Sequence, residues 1–167
     1  MSFRLIADPD NHKSIDAFRD LPNHISKGIR MGAYISGKEL VASLKADMKR
    51  PKSGRSYRIY QGVGGALKRP RLHKASSASE TPAVITGKFR KSIDFKVLGN
   101  STLEFGSGSE GLAKDYARVL EFGSSKMAAR KPLGRTVEKL QSKVKSNITK
   151  EINKQMKAKG FKITGGY

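Results

Sequence analysis

Apolar residues return at helical spacing in two long stretches of the chain. The first stretch predicts a helix over residues 22–49, which is ended by Pro51. Three glycines are expected to weaken this helix locally, Gly28, Gly32 and Gly37. The second stretch predicts a basic amphipathic helix over residues 134–158, ended by Gly160. Its narrow apolar stripe consists of Val137, Leu140, Val144, Ile148, Ile152 and Met156.

The residues between these helices favour short elements. Residues 55–61 alternate in polarity and could form one strand. After a short helix, residues 93–97 alternate apolar with charged side chains, which indicates a half-buried strand. Gly99-Asn100 is a tight-turn pair, and residues 102–105 would form the returning strand. Residues 112–120 are expected to form one or two helical turns.

The remaining stretches lack a clear period. Residues 1–13 are expected to be irregular, residues 62–82 to form a basic extended arm, and residues 159–167 to form a flexible tail. The length of 167 residues fits a single domain over residues 1–167.

The positive charge of the chain is concentrated in two blocks. The net charge is +20, and residues 45–74 hold ten basic and one acidic side chain, while residues 126–167 hold twelve and two. Such blocks usually face a polyanion because like charges repel, although a solvated face that keeps the protein soluble is the alternative. The sequence has no helix-turn-helix or zinc-finger pattern, so specific base reading is not expected.

Nothing in the sequence points to catalysis or to a metal. The chain has no cysteine, which excludes disulfides and thiolate catalysis and removes the usual structural zinc sites. The histidines are not at ligand spacing, and the glycines at 62–65 lack the Gly-Lys-Ser/Thr ending of a phosphate loop. The residues therefore offer no support for enzyme activity, although they do not exclude it.

A membrane location is not expected either. The chain has no run of 18 apolar residues, and residues 1–10 lack the apolar core of a signal peptide. The basic C-terminal helix lacks the Trp and Phe anchors of a helix that lies on a membrane.

One segment late in the chain has a specific order of residues. Residues 115–133 read DYARVLEFGSSKMAARKPL. They predict a short helix that ends near Phe122 and a chain reversal at Gly123, which can take a positive φ. Pro132 then opens the last helix at its first turn.

This segment resembles the neck and tail-completion proteins of long-tailed bacteriophages, in which Tyr-Ala, Glu-Phe-Gly-Ser and Met-Ala-Ala-Arg-x-Pro-Leu precede a long final helix. A second piece agrees with the resemblance, namely His73-Lys74-Ala75-Ser76, Pro82-Ala83, Thr86-Gly87 and Lys88 to Ser92. The chain departs from the family at residues 77–81, where a Pro-Gly-Glu-type turn is usual, and at Lys131, which is one additional residue before Pro132.

The resemblance implies an α+β fold, with a small antiparallel sheet flanked by a long N-terminal and a long C-terminal helix. The basic extended loop over residues 62–82 comes from this chain's own composition and is unusually basic for the family. The resemblance implies a structural virion protein, without catalysis or a cofactor, that forms a sixfold homo-oligomeric ring at the neck or the top of the tail and is assembled in the cytoplasm of the bacterial host. The expected partners are head connector or stopper proteins, the tail tube or tail terminator protein, and phage DNA that passes through the channel without sequence specificity.

Two sets of residues are expected to make these contacts. Interface cores favour aromatic residues and Met and exclude charge. The neutral middle region therefore supplies the candidates for subunit packing, Tyr116, Glu121, Phe122, Gly123, Met127, Arg130 and Pro132. The basic arm supplies the candidates that face DNA or an axial protein, Lys68, Arg69, Arg71 and Lys74. Glu121 and Arg130 could also pair with each other, within or between subunits, or form an ordinary surface pair.

Two other functions are compatible with the sequence. A free-standing nucleic-acid-binding protein would explain the net charge directly but would leave residues 115–133 unexplained. Another virion part, such as a tail terminator or a minor tail protein, would share ring symmetry with a neck subunit, and the sequence does not separate the two.

Overall fold

A computed structural model of the chain describes residues 18–60, 70–78, 80–85, 87–108 and 112–161. Within these ranges the fold is α+β, as predicted, with a long helix toward each end of the chain. In chain order the elements are α1 (Leu21–Asp47), β1 (Ser56–Ile59), β2 (Arg71–Lys74), α2 (Lys88–Ser92), β3 (Ile93–Leu98), β4 (Thr102–Ser107), α3 (Leu112–Phe122) and α4 (Pro132–Lys157).

The boundaries of the long helices follow the signals in the sequence. Helix α4 begins at Pro132, where a proline needs no intrahelical donor, and its end is followed by Gly160 with a φ of +84°. The predicted hairpin is confirmed as β3 and β4, with Gly99 at a φ of +57° in the turn. Helix α3 is longer than the predicted one or two turns and has 11 residues.

The strands form two separate antiparallel pairs, β1–β2 and β3–β4, rather than the single small sheet expected from the sequence. In the first pair Ser56 lies opposite Lys74 and Ile59 lies opposite Arg71. The pairing continues beyond the strand, since Ala75 donates its N–H to the Arg55 carbonyl at 3.0 Å. We call this pair the ribbon.

The ribbon corrects one prediction. Residues 71–74, in the middle of the predicted arm over 62–82, form strand β2 and not an extended loop. They were missed because Arg-Leu-His-Lys carries one aliphatic residue among three basic ones, so no polarity alternation marks a strand. The hydrogen bonds to β1 define this strand instead. Residues 61–69, which include Lys68 and Arg69, lie outside the described residues, as do residues 1–13.

The described residues divide into two compact units. The first, which we call the helical unit, comprises residues 18–39, 96–104 and 140–161. The second, which we call the mixed unit, comprises the described residues within 40–95 and 105–139. The prediction of a single domain over residues 1–167 stays a prediction.

In the helical unit, glycines bring α1 and α4 into backbone contact. A Cβ atom added to Gly28 would lie 2.7 Å from the Ile152 Cα, and one added to Gly32 would lie 2.5 Å from the Ile148 Cα. These distances are far below normal contact, so side chains at either position would push the helices apart. Gly28 and Gly32, which were expected only to weaken α1, therefore allow it to pack closely against α4.

Polar contacts complete this helix pair. Asn147 on α4 donates through Nδ2 to the Ser36 hydroxyl at 3.3 Å and to the Glu39 carboxylate at 2.9 Å. Lys143 forms an ion pair with Glu39 at 3.1 Å. At the other end of the unit Phe161 packs edge-on against Phe18, with ring centroids 5.4 Å apart. Part of the predicted flexible tail thus makes a defined contact, and residues 162–167 lie outside the described residues.

The mixed unit has an apolar core of its own. It joins the end of α1 to α2, β3 and α3, and it is formed by Leu44, Met48, Phe89, Ile93, Ala117 and Leu120. Partly buried side chains pack around this core, among them Met127 and Leu133 from the segment that links α3 to α4. The core holds that linking segment in place, which matters for the candidate site.

Candidate functional site

The two sequence pieces that carry the phage resemblance pack against each other in the mixed unit. The ring of Phe89 meets the ring of Tyr116 edge-on, with centroids 5.8 Å apart. The Arg130 guanidinium donates a hydrogen bond to the hydroxyl of Ser76, which is buried and also accepts from the Ala83 N–H at 3.3 Å. Residues far apart in the chain therefore form one structural element.

The predicted reversal after α3 is confirmed. Gly123 has a φ of +81° and donates its N–H to the Val119 carbonyl at 2.8 Å, which closes the helix end. Ser124 and Met127 then pair as an isolated antiparallel bridge. The Arg130 N–H returns to the Leu120 carbonyl at 2.8 Å. The segment is a closed loop anchored on the last turn of α3.

The backbone turns sharply at Lys131, directly before Pro132. Among the described residues, Lys131 is the one with a positive φ (+47°) that is not glycine. Its N–H donates to the Leu120 carbonyl at 3.2 Å. This left-handed residue leads the chain into the first turn of α4 at Pro132.

Glu121 has hydrogen-bond partners that the sequence did not suggest. Its carboxylate accepts hydrogen bonds from the N–H groups of Leu133 and Gly134, both at 2.9 Å, in the first turn of α4. A carboxylate at this place satisfies free helix donors and interacts favourably with the helix dipole. The suggested pair of Glu121 with Arg130 is not the arrangement within the chain, because each side chain has a different partner.

The residues predicted for subunit packing differ in their availability. Phe122 is 78% exposed and Tyr116 is 43% exposed, so both offer apolar surface. Burial of part of its side chain raises the pKa of the Tyr116 hydroxyl above its ordinary value of 10. Pro132 corrects the prediction, since it is fully buried in its own chain and cannot face a neighbour. Met127 is partly buried against its own core.

An apolar groove beside Tyr116 was not predicted. Its volume is about 570 Å³, and its walls include Met48, Val84, Phe89, Tyr116 and Val119. The exposed Ile85 lies at its edge. No sequence signal marks the groove, because its walls come from four segments that meet only in the fold.

Arg71 and Lys74, two of the predicted DNA-facing residues, line a basic hollow of about 350 Å³. The other cations around it were not in the predicted set, namely Lys49, Arg50, Lys52 and Arg90. The charge block at 45–74 signalled the first three of these, whereas Arg90 lies in the neutral region and had no signal. Lys68 and Arg69 lie outside the described residues.

A carboxylate holds the base of the ribbon. Glu80 accepts hydrogen bonds from the N–H groups of Ser53 and Ser77, each at 3.0 Å. Lys52, beside it, donates to the Thr81 hydroxyl at 2.9 Å. The hydrogen bonds from the backbone of Ser53 and Ser77 lower the pKa of Glu80 from 4.5 to about 2.

The low pKa of Glu80 predicts a loss of stability in acid. Because the folded pKa lies below the ordinary value of 4.5, the contribution is complete above pH 4.5 and is lost as the pH falls toward 2. We expect Glu80→Gln to lower the urea midpoint at pH 7 and to differ less from the unmodified protein at pH 3. The control is Glu104→Gln, which removes an equal charge from an exposed strand position. An equal deficit at both pH values would contradict the assignment.

The described residues show no candidate metal site. They contain no group of three or more His, Asp or Glu side chains that could hold a metal ion. No helix in those ranges combines the length and apolarity needed to cross a membrane.

Comparison with known proteins identified no relative. The chain matches no protein-family model, no curated protein and no solved structure.

Proposed function

We propose that the chain is a non-enzymatic structural protein of a tailed bacteriophage, a subunit of the neck or tail-completion ring that joins the tail to the DNA-filled head. The observation that carries the proposal is the packing of Ser76 and Phe89 against Arg130 and Tyr116. These residues belong to the two pieces that resemble that class of protein.

Two surfaces of the mixed unit support this function. A ring subunit needs one surface for its neighbours, and Phe122 with the apolar groove beside Tyr116 offers exposed apolar area of that kind. It also needs a surface toward the axial partners, and the basic hollow would face DNA or an acidic protein. Six copies would multiply weak contacts, so a modest affinity for each subunit would suffice.

Deletion of the gene from its phage tests the proposal. We expect electron microscopy of the resulting particles to show filled heads and separate tails that fail to join, and we expect the purified protein, added back, to restore joining. Particles that join normally without the protein would refute the proposal.

The basic hollow also favours a second candidate, a free-standing nucleic-acid-binding protein. Such a protein would bind DNA tightly and stoichiometrically as an isolated monomer at physiological ionic strength. Its removal would leave heads and tails joined. A tail terminator or minor tail protein is a variant of the first proposal, and it would be separated by the loss of tail length control or of tail completion instead of joining.

A further inference from the structure

A second cationic hollow adjoins the basic hollow in the part of the mixed unit that the structure describes. This second hollow of about 220 Å³ is lined by Lys45, Gly87, Arg90 and Lys91. Arg90 lines both hollows, so they are neighbours through one guanidinium. Neither hollow is lined by a carboxylate of the described residues. We call the six cations Lys45, Lys49, Arg71, Lys74, Arg90 and Lys91 the basic track.

The carboxylates nearest this track form no ion pair with it among the described residues. Asp115 lines the adjoining apolar groove together with Arg90, but no ion pair joins the two side chains. Asp47 forms ion pairs with Arg50 and Lys139, each at 3.1 Å. The Glu80 carboxylate accepts hydrogen bonds from the backbone N–H groups of Ser53 and Ser77. No ion pair joins a cation of the basic track to a carboxylate among the described residues, and the Nε of Arg90 is buried without a hydrogen-bond partner there. The positive potential is therefore available to a ligand.

The position of the charge indicates the class of ligand. Protein–protein interfaces place aromatic and apolar residues at the centre and leave charges at the rim. Here the two hollows share a charged side chain, Arg90, which also lines the apolar groove. Interfaces with nucleic acid are much more positive, and arginine matches the geometry of phosphate oxygens. Two neighbouring hollows lined by cations also suit a ligand that carries repeated negative charges.

We propose that the basic track binds the phosphodiester backbone of nucleic acid without reading its sequence. The inference rests on the proposed function, in which DNA passes the ring, and it identifies the axial ligand of this face as DNA rather than an acidic protein. Each subunit binds weakly through the track, and the ring gains affinity from its copies.

The test compares two triple variants of the full chain that each remove three positive charges. Lys49→Gln with Arg71→Gln and Lys74→Gln empties one end of the track, and all three side chains are exposed. The matched control is Lys145→Gln with Lys150→Gln and Lys154→Gln, at exposed positions of α4. Binding to two unrelated 20-base-pair duplexes is measured by fluorescence anisotropy between about 50 and 200 mM salt.

We expect the unmodified protein to bind both duplexes with a similar, roughly micromolar Kd at the lowest salt. The track variant should raise Kd about tenfold or more, and it should flatten the slope of log K against log salt by about 2 to 3, since each lost phosphate contact accounts for about 0.9. The control should stay within about threefold of the unmodified protein, because it removes the same number of charges and leaves all six cations of the basic track in place.

Three results would overturn the inference. They are no binding at about 50 mM salt, equal losses in the two variants, or competition by polyglutamate as strong as that by DNA of equal charge. The last result would assign the surface to an acidic protein. None of them would alter the joining defect of the gene deletion, so failure of this inference and failure of the proposed function are distinguishable.

Discussion

Replacement of Gly32 by alanine is expected to lower the free energy of unfolding by about 2 kcal/mol, although alanine is the better helix former. The new Cβ would lie 2.5 Å from the Ile148 Cα, a backbone atom that moves only if α4 moves. Overpacking costs about 1–3 kcal/mol and sometimes more, and a contact of 2.5 Å with a backbone atom belongs at the upper end of this range. A loss of about 2 kcal/mol therefore remains after the gain of about 1 kcal/mol in helix propensity. Thermal unfolding should show a Tm lower by about 4–8 °C.

A second substitution makes this prediction sharper. In the Gly28→Ala, Gly32→Ala double variant, the helix displacement forced by one methyl group should relieve the other, so the two losses should add to less than their sum. Gly106→Ala is the control, because a Cβ there would meet nothing within 4 Å. Stabilisation by Gly32→Ala, or strictly additive losses at the two sites, would contradict the close approach of α1 and α4.

The packing of α1 shows why part of the fold was not predictable. The helical spacing of apolar residues predicted both long helices because periodicity is local. From local sequence, Gly28 and Gly32 are expected only to weaken α1. Their contribution to packing depends on α4, whose contacting residues lie more than 100 residues further along the chain. A signal was present in the sequence, because Gly28, Gly32 and Ser36 recur every four residues and place small side chains on one face.

The ribbon illustrates a different limit. Strand β2 is defined by its hydrogen bonds to β1, and its residues show no alternation that would mark a strand. By contrast, β3 and β4 were predictable because alternation and a Gly-Asn turn coincide. A separate sheet for each pair could not be foreseen, since pairing partners are a property of the whole chain.

The candidate site was predictable where its chemistry is local. The helix end at Phe122, the reversal at Gly123 and the helix start at Pro132 all follow from backbone preferences. The partners of Glu121 and Arg130 did not follow, because the acceptor or donor of each comes from a different part of the chain. The basic hollow was likewise predicted only in part. Arg71 and Lys74 were predicted to face DNA or an axial protein, whereas Arg90 comes from the neutral region and was not.

The chain reversal at Gly123 is the site of the second substitution with a large expected effect on stability. We expect Gly123→Ala to lower the free energy of unfolding by about 2–4 kcal/mol, measured by urea or thermal unfolding, through two costs that act together. A non-glycine residue at a φ of +81° pays roughly 1–2 kcal/mol. Its Cβ would also lie 2.9 Å from the Ala129 nitrogen and 3.0 Å from the Met127 oxygen, both backbone atoms of the closed loop.

Gly160→Ala separates these two costs because Gly160 also follows a helix end, at a φ of +84°, but has nothing within 4 Å of an added Cβ. It should therefore pay only the conformational cost of about 1–2 kcal/mol. The excess in Gly123→Ala measures how tightly the loop closes on α3. Because the exposed Phe122 ends α3 directly before that loop, the same variant should impair restoration of head–tail joining more than Gly160→Ala does. Equal losses of stability in the two variants would show that the loop can relax around an added Cβ. Glycine would then be needed at position 123 only for its positive φ, and not for the close contacts with Met127 and Ala129.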